Sequence, residues 1–320
     1  MVRKALVGST GFVGSSLRHQ WSFDSLYHSR NIDGISGESF DLVVCAAAPA
    51  TMWAANQDPD ADKANLDGLA LNLSHVKADR FVLISTIAVL DDAGAGYTES
   101  TARFETAKAY GRHRRELEER MLGQFPNCHV LRLPALFGSG LKKNFIFDLI
   151  HPLPSFIKPD RLQETRNAFA AEDRATLEKW YAFDAGLQMF ALDRAGLAAS
   201  GEGPALVRAF AAISFIARNF TNSASRFQYY NMTRLAADID RTIAAGIGTL
   251  HLCSAPLEAS AITCAITGEV FENTGPPITC EDMRSDHAAT FGAEGPYLIG
   301  SDEVLADLAA FYRAETGAVA

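Results

Sequence analysis

Cysteine is scarce in this chain and badly placed for any of its usual tasks. The five present (Cys45, Cys128, Cys253, Cys264 and Cys280) are odd in number and scattered, with no C-x-x-C pair. That pattern fits neither a disulfide framework nor a thiolate metal site, and reads as buried or free thiols in a reducing, cytoplasmic compartment. No cluster of His, Cys and Asp has metal-ligand spacing, and no Gly-x-Ser-x-Gly elbow occurs, so no metal and no serine nucleophile are expected. Positive charge is also in deficit. The 29 Lys and Arg against 38 Asp and Glu leave a net charge of −9, which argues against a nucleic-acid binder. The N-terminal apolar run is far too short for a signal segment or a membrane span, so no membrane partner is expected. The 320 residues, 48% of them apolar, can bury a large core, and the length prior suggests about two domains.

Glycine is what the N-terminus has in quantity. The run MVRKALVGSTGFVGSSL places a short apolar strand, Ala5 to Val7, directly before Gly8-x-x-Gly11-x-x-Gly14, and a helix-like segment follows. Strand, glycine turn and helix in that order are what a dinucleotide pyrophosphate requires. Gly8 permits the tight turn, Gly11 lets the backbone approach the phosphates, Gly14 lets helix and strand pack closely, and the new helix aims free N–H groups at the anion.

Strands and helices then alternate. A helix is expected over Gly14–Gln20, a strand at Ser25–Ser29, and a buried strand at Phe40–Ala47. A helix follows at Asp60–Val76, a strand at Arg80–Thr86, a charged amphipathic helix at Glu105–Phe125 and a strand at Cys128–Leu133. Alternation of this kind implies α/β architecture, a doubly wound parallel Rossmann-like sheet that binds ligands beyond the carboxyl ends of its strands. Only Arg30–Ser39 separates the second strand from the next, too little for a full crossover, so the usual third strand and helix look truncated.

The tip of the second strand bears on cofactor choice. A carboxylate there would hold the ribose hydroxyl of NAD, but the chain offers His28-Ser29-Arg30 and no acid until Asp33. Arginine with a small hydroxyl suits the extra phosphate of NADP, with NAD the alternative and a solvated loop arginine the competing reading. Thr86 closes one strand and Tyr110 opens YGRHRRELEE. Hydride transfer at a carbinol carbon needs one group to trade the hydroxyl proton and another to fix the oxygen. Tyrosine can do the first if a cation stabilises its phenolate, and Arg114 lies one helical turn away. A helix aromatic packed on the sheet is the bland alternative for Tyr110.

These pieces, GSTGFVG, VVCAAAP, Asn65 in KANLDG, LISTIAVL, YGRHRRELE and VLRLPALFG followed by KKNF, occur in an order that resembles the extended short-chain dehydrogenase/reductase family of NAD(P)-dependent sugar epimerases and dehydratases. The resemblance covers residues 1 to about 148; RFQYYNMTRLAADI resembles the family's returning strand and helix, and TLHLCSA its last sheet strand. It implies cofactor contacts at Gly8, Thr10, Gly11, Phe12, Val13, Gly14, Ser29, Arg30, Ala46, Ala47, Ala48, Asn65, Tyr110, Arg114 and Pro134. It also implies Tyr110 as acid/base, Thr86 as its hydroxyl partner, and Asn144 near a nucleotide-sugar diphosphate. The chain departs from the family in having Arg114 where Tyr-x-x-x-Lys has lysine, Leu90 in place of a tyrosine, and Arg226 one residue out of register.

Residues 1–140 plus about 226–254 are therefore expected to bind the dinucleotide. Residues 141–225 plus 255–320 are expected to form a smaller, mostly helical substrate region, with helices over Ala168–Leu192 and Pro204–Asn219. Trp53, Asn144, His151 and Arg226 are candidate substrate contacts, and His113 reads as a surface residue or one just behind the site. The expected activity is that of an NAD(P)-dependent epimerase, dehydratase or reductase acting on a nucleotide-linked sugar, and a homodimer is the expected assembly. The alternatives are a non-catalytic NADP(H)-binding sensor or interaction protein, and a small-molecule ketoreductase of secondary metabolism.

Overall fold

The computed structural model describes residues 2–317. The apolar runs form the expected strands: β1 (Lys4–Val7), β2 (Ser25–Tyr27), β3 (Ser39–Cys45), β4 (Lys77–Thr86) and β5 (Cys128–Leu133). With a last strand at Thr249–His251 they make one six-stranded sheet. Its spatial order runs from Thr249–His251 through β5, β4, β3 and β1 to β2, and every neighbouring pair is parallel. Such a sheet is covered on both faces, so its strands need apolar residues on both sides. β5 is buried at every position.

Helices α1 (Phe12–Gln20), α2 (Met52–Gln57), α3 (Pro59–Leu73) and α4 (Ala109–Gln124) are interleaved with the strands. One core joins Val7, Val43, Cys45, Phe81 and Val130 of the sheet to Leu66 and Leu73 of α3 and to Leu117 and Met121 of α4. The result is a doubly wound, Rossmann-like α/β fold.

The short link between β2 and β3 is a single 3-10 turn, Ile32–Ile35, anchored by the fully buried Ile35. Among the described residues no strand lies outside β2, which is the sheet edge. Helix α4 starts four residues later than its charge pattern suggests. Glu105 is spent on the preceding turn, its Oε1 accepting from the N–H groups of Ala107 and Lys108 at 2.8 and 3.0 Å.

The chain forms two compact units, one of residues 2–141, 226–257 and 280–311, the other of residues 142–225, 258–279 and 312–317. The stretch 280–311, grouped from the sequence with the second region, belongs to the first. There Leu298 N–H donates to Cys253 O and Ala255 N–H to Ile299 O, extending the chain from the last sheet strand.

In the second unit the helix expected over 168–192 is overturned beyond Trp180. Helices Pro159–Ala168 and Ala171–Trp180 are followed by a hairpin, Tyr181–Asp184 with Met189–Leu192, that pairs further with Phe156–Ile157. Asp184 Oδ1 accepts from the N–H groups of Gly186 and Leu187, and Gln188 takes a φ of 54°, so the chain reverses instead of continuing the helix. The helix expected over 204–219 likewise ends at Ala212. Ser214 adopts a φ of 55°, and a separate 3-10 turn follows at Ala217–Phe220. A core of Leu177, Tyr181, Leu197, Leu206, Phe210 and Phe215 holds this unit together.

Candidate active site

The glycine turn is built as its spacing suggests. Gly8 leaves β1 with φ +88°, and a Cβ there would sit 2.4 Å from the Ala46 carbonyl oxygen. A Cβ on Gly14 would sit 2.1 Å from the Gly8 carbonyl oxygen, so strand end and helix touch through backbone. Gly11 is different. Its Cβ would meet Gly8 O only at 3.5 Å, so the chain itself does not demand glycine there.

The N–H groups of Gly8 and Ser9 donate to Tyr27 O at 2.9 and 3.0 Å, sewing the turn to β2. Gly11 is the N-cap of α1, no side chain caps the helix, and its first turn holds no acid. That end carries the partial positive charge of the helix with open donors, a ready place for an anion. Thr10 and Gly11 are exposed, and Phe12 and Val13 half-buried.

The other residues expected around this turn fall into place unevenly. Ala46, Ala47 and Ala48 are half-buried beyond β3, and Ala46 N–H donates to Val7 O at 2.8 Å. Ser29 and Arg30 are exposed just past β2, in a turn closed by Asn31 Oδ1 accepting from His28 N–H at 2.7 Å. Pro134 is buried immediately after β5. Asn65 is exposed on α3 and makes no side-chain hydrogen bond among the described residues. Trp53 is exposed near the start of α2. Arg226 is exposed, and its carbonyl accepts from Glu281 N–H at 2.9 Å.

Thr86 and Tyr110 do meet. Thr86 ends β4 and caps the 3-10 turn Ile87–Val89, its Oγ1 accepting from Ala88 N–H at 3.2 Å. Tyr110 is the second residue of α4, where its N–H donates to Asn56 Oδ1 at 3.0 Å. A residue unflagged in the sequence makes this approach possible: a Cβ on Gly111 would lie 2.0 Å from Ala88 O. Tyr110 is 8% exposed. Burial raises its hydroxyl above the ordinary tyrosine value, and the charge of Arg114 and the hydrogen bond from Thr86 oppose this without overcoming it.

Arg114 is held by neighbours that the sequence spacing does not reveal. Its guanidinium lies 3.9 Å from the centre of the Tyr110 ring and is gripped by Asp62 of α3, Nη1 to Oδ2 at 2.6 Å and Nη2 to Oδ1 at 2.8 Å. Nη2 also donates to Pro49 O at 2.6 Å and Nη1 to Tyr110 O at 3.2 Å, while Nε is buried without a partner among the described residues. His113 is not a surface residue. It is 3% exposed, and its Nδ1 lies 2.8 Å from Asp62 Oδ2. Burial alone would raise the Asp62 carboxyl, but Arg114 and His113 hold it below its usual value.

A second buried network crosses the ends of neighbouring strands. Glu118 of α4 accepts from Ser85 of β4 at 2.5 Å and from Arg132 of β5 at 3.0 and 2.7 Å. Arg132 Nη1 in turn lies 3.1 Å from Nε2 of His251. Both networks depend on pairs far apart in sequence.

In the second unit, Asn144 is the N-cap of a short helix, Phe145–Ile150. It takes a φ of 112°, and its Oδ1 accepts from Phe147 N–H at 3.1 Å. His151 closes the same helix with its ring 4.4 Å from that of Phe147, and burial lowers its pKa below the ordinary histidine value, aided by Arg194.

No family model and no curated protein sequence matches the chain. Solved structures do, and they define a class of fold, the Rossmann-like α/β fold. RMD from Pseudomonas aeruginosa, described as complexed with NADPH, is 14% identical with a TM-score of 0.62 and full coverage of both chains (100% and 100%). A dTDP-4-dehydrorhamnose reductase from Bacillus anthracis, described as in complex with NADP, is 14% identical with a TM-score of 0.59, covering 98% of each chain. A UDP-N-acetylglucosamine 4-epimerase from Methanobrevibacter ruminantium, in complex with UDP-N-acetylmuramic acid, is 10% identical with a TM-score of 0.59, covering 98% of this chain and 97% of that one. At such identities the likeness is one of fold. No helix among the described residues is long and apolar enough to cross a membrane.

Proposed function

We propose that this chain is an NADP-dependent enzyme acting on a hydroxyl or carbonyl of a nucleotide-linked sugar. The observation that carries this reading is the meeting of Thr86 and Tyr110 at the end of β4, in the unit that also holds the uncapped glycine turn. The solved neighbours described as a dTDP-4-dehydrorhamnose reductase in complex with NADP, a UDP-N-acetylglucosamine 4-epimerase, and RMD complexed with NADPH support it.

The turn fits a dinucleotide: Gly8 and Gly14 are forced by backbone contacts, whereas nothing in the chain forces glycine at position 11, where a pyrophosphate would approach. The first turn of α1 would hold that pyrophosphate, and Arg30 with Ser29 the extra phosphate of NADP. When bound, the nicotinamide supplies the hydride. Tyr110 would exchange the proton at the substrate oxygen, and Thr86 would orient that oxygen. Arg114 would lend positive charge beneath the Tyr110 ring; its terminal nitrogens are already engaged, which leaves it poorly placed to hold a ribose as the family lysine does.

The first test is to denature the purified protein and identify any nicotinamide dinucleotide released, by mass. NADP in stoichiometric amount supports a tightly held, recycled cofactor. With cofactor assured, Tyr110→Phe should lower turnover by about two to four orders of magnitude with NADPH affinity unchanged; full activity in that variant ends the assignment.

One observation favours a second reading, a protein that binds NADP(H) without turnover. Arg114 stands where the family has lysine, and its terminal nitrogens are already engaged by Asp62 and Pro49 O. That reading expects NADPH binding with no hydride transfer to any carbonyl.

A further inference from the structure

Asp62 plays no part in the spacing argument that singles out Tyr110 and Arg114, yet it contacts the arginine more closely than any group of α4 does. It is 7% exposed and Arg114 is 3% exposed, so the pair lies away from water. Both carboxylate oxygens face both terminal nitrogens of the guanidinium, a two-pronged geometry that fixes the plane of the cation as well as its distance. Pro49 O and Tyr110 O take two further N–H bonds, and the same guanidinium lies 3.9 Å from the centre of the Tyr110 ring. A lysine would make a point contact and would not be oriented this way.

We propose that Asp62 is a positioning residue, which grips Arg114 from α3 to fix the guanidinium over Tyr110 and sets how much of its positive charge the tyrosine experiences. The inference deepens the functional reading above and rests on it for its relevance to turnover. The charged groups acting on Tyr110 are Arg114 on its own helix and Asp62 across from it; the neighbours Thr86 and Asn56 are uncharged. Arg114 favours the phenolate and Asp62 opposes it, Arg114 having the larger effect. Asp62 thus does two things at once: it holds the cation in place and partly cancels it.

The test follows the ionisation of Tyr110 by NMR in the complete protein carrying 13Cζ-labelled tyrosine, the signal being assigned by its loss in Tyr110→Phe. Asp62→Asn keeps the shape and one acceptor but removes the negative charge, so Tyr110 should ionise at lower pH, by about one unit. A higher value shows Arg114 released from the tyrosine and Asp62 acting through its grip; an unchanged value overturns the proposal.

Should Asp62→Asn fail to fold, the paired replacement Asp62→Leu/Arg114→Met leaves neither charge of the pair uncompensated and shows whether the gripped pair acts on Tyr110 as a net positive charge. Tyr110 should then ionise at higher pH than in the native chain, and an unchanged or lower value overturns the proposal. The titration needs neither cofactor nor substrate. A chain that shows no hydride transfer but responds as described sinks the functional reading and leaves the role of Asp62 intact. If the native chain turns over, the pH–rate limb of Tyr110 should move with its titration.

Discussion

Two helices in this molecule begin where a ligand is expected from the sequence, and they begin in opposite ways. Helix α1 follows Gly8, has Gly11 as its N-cap, and has neither a side-chain cap nor an acid in its first turn. The helix Phe145–Ile150 follows Asn144, which caps it with its own side chain, and Asp148 adds a carboxyl to the first turn. Each helix end carries partial positive charge. Only at α1 is that charge left for an outside anion; at Phe145–Ile150 the chain has satisfied it from within. The comparison supports a phosphate site at the first helix and gives no support to Asn144 as a diphosphate ligand.

The contrast can be broken most severely at Gly14. Gly14→Ala places a methyl group against Gly8 O, where no flexible side chain can yield, and overpacking of this kind costs about 1–3 kcal/mol. NADPH binding, measured by titration calorimetry, should be lost, and the melting temperature should fall.

Asp148→Asn tests the second helix by its pH dependence. Burial raises the Asp148 carboxyl to about 7, with Arg194 opposing, so the folded state holds the proton more tightly than the unfolded chain. Stability from this group is present in full below the unfolded value and is lost as pH rises through about 7. The substitution should therefore raise the melting temperature at pH 8 and have little effect at pH 4. An equal effect at both values contradicts the assigned shift.

The smallest effect is expected at Asn144. Asn144→Ala removes the cap and should cost about 1 kcal/mol by chemical denaturation. It should leave NADPH affinity as it was.

The fold was largely legible because its signals are local. FDLVVC, RFVLIST and CHVLRL are apolar without a break, and the glycines of the first turn occur at fixed spacing next to a strand. The truncated crossover could be inferred by counting residues between two strands. The hairpin at 181–192 could not be foreseen in the same way, since its Phe, Met and Leu satisfy helical and strand spacings about equally well; the turn at Asp184 and Gln188 decides between them.

The candidate site was half legible. Tyr110, Thr86 and Arg114 announce themselves by order and spacing. Asp62 sits in a helix where acids ordinarily face water, and only the packing of α3 on α4 turns it inward. Gly111 looks like a weak point in a helix until Ala88 is seen against it. Glu118 and Arg132 are ordinary charges in sequence and form a buried pair only where α4 packs on β5.

The missing crossover also bears on how binding should respond to the medium. With β2 at the sheet edge, Arg30 stands in solvent and no further strand of the sheet shelters its turn. An attraction between an exposed guanidinium and a phosphate is screened over about 8 Å at physiological ionic strength. Whatever preference the chain has for a phosphorylated ribose should therefore fade as salt is added, while the hold of the glycine turn, made by fixed backbone dipoles close to the ligand, should fade less. Discrimination between the two dinucleotides would then depend on ionic strength as well as on sequence.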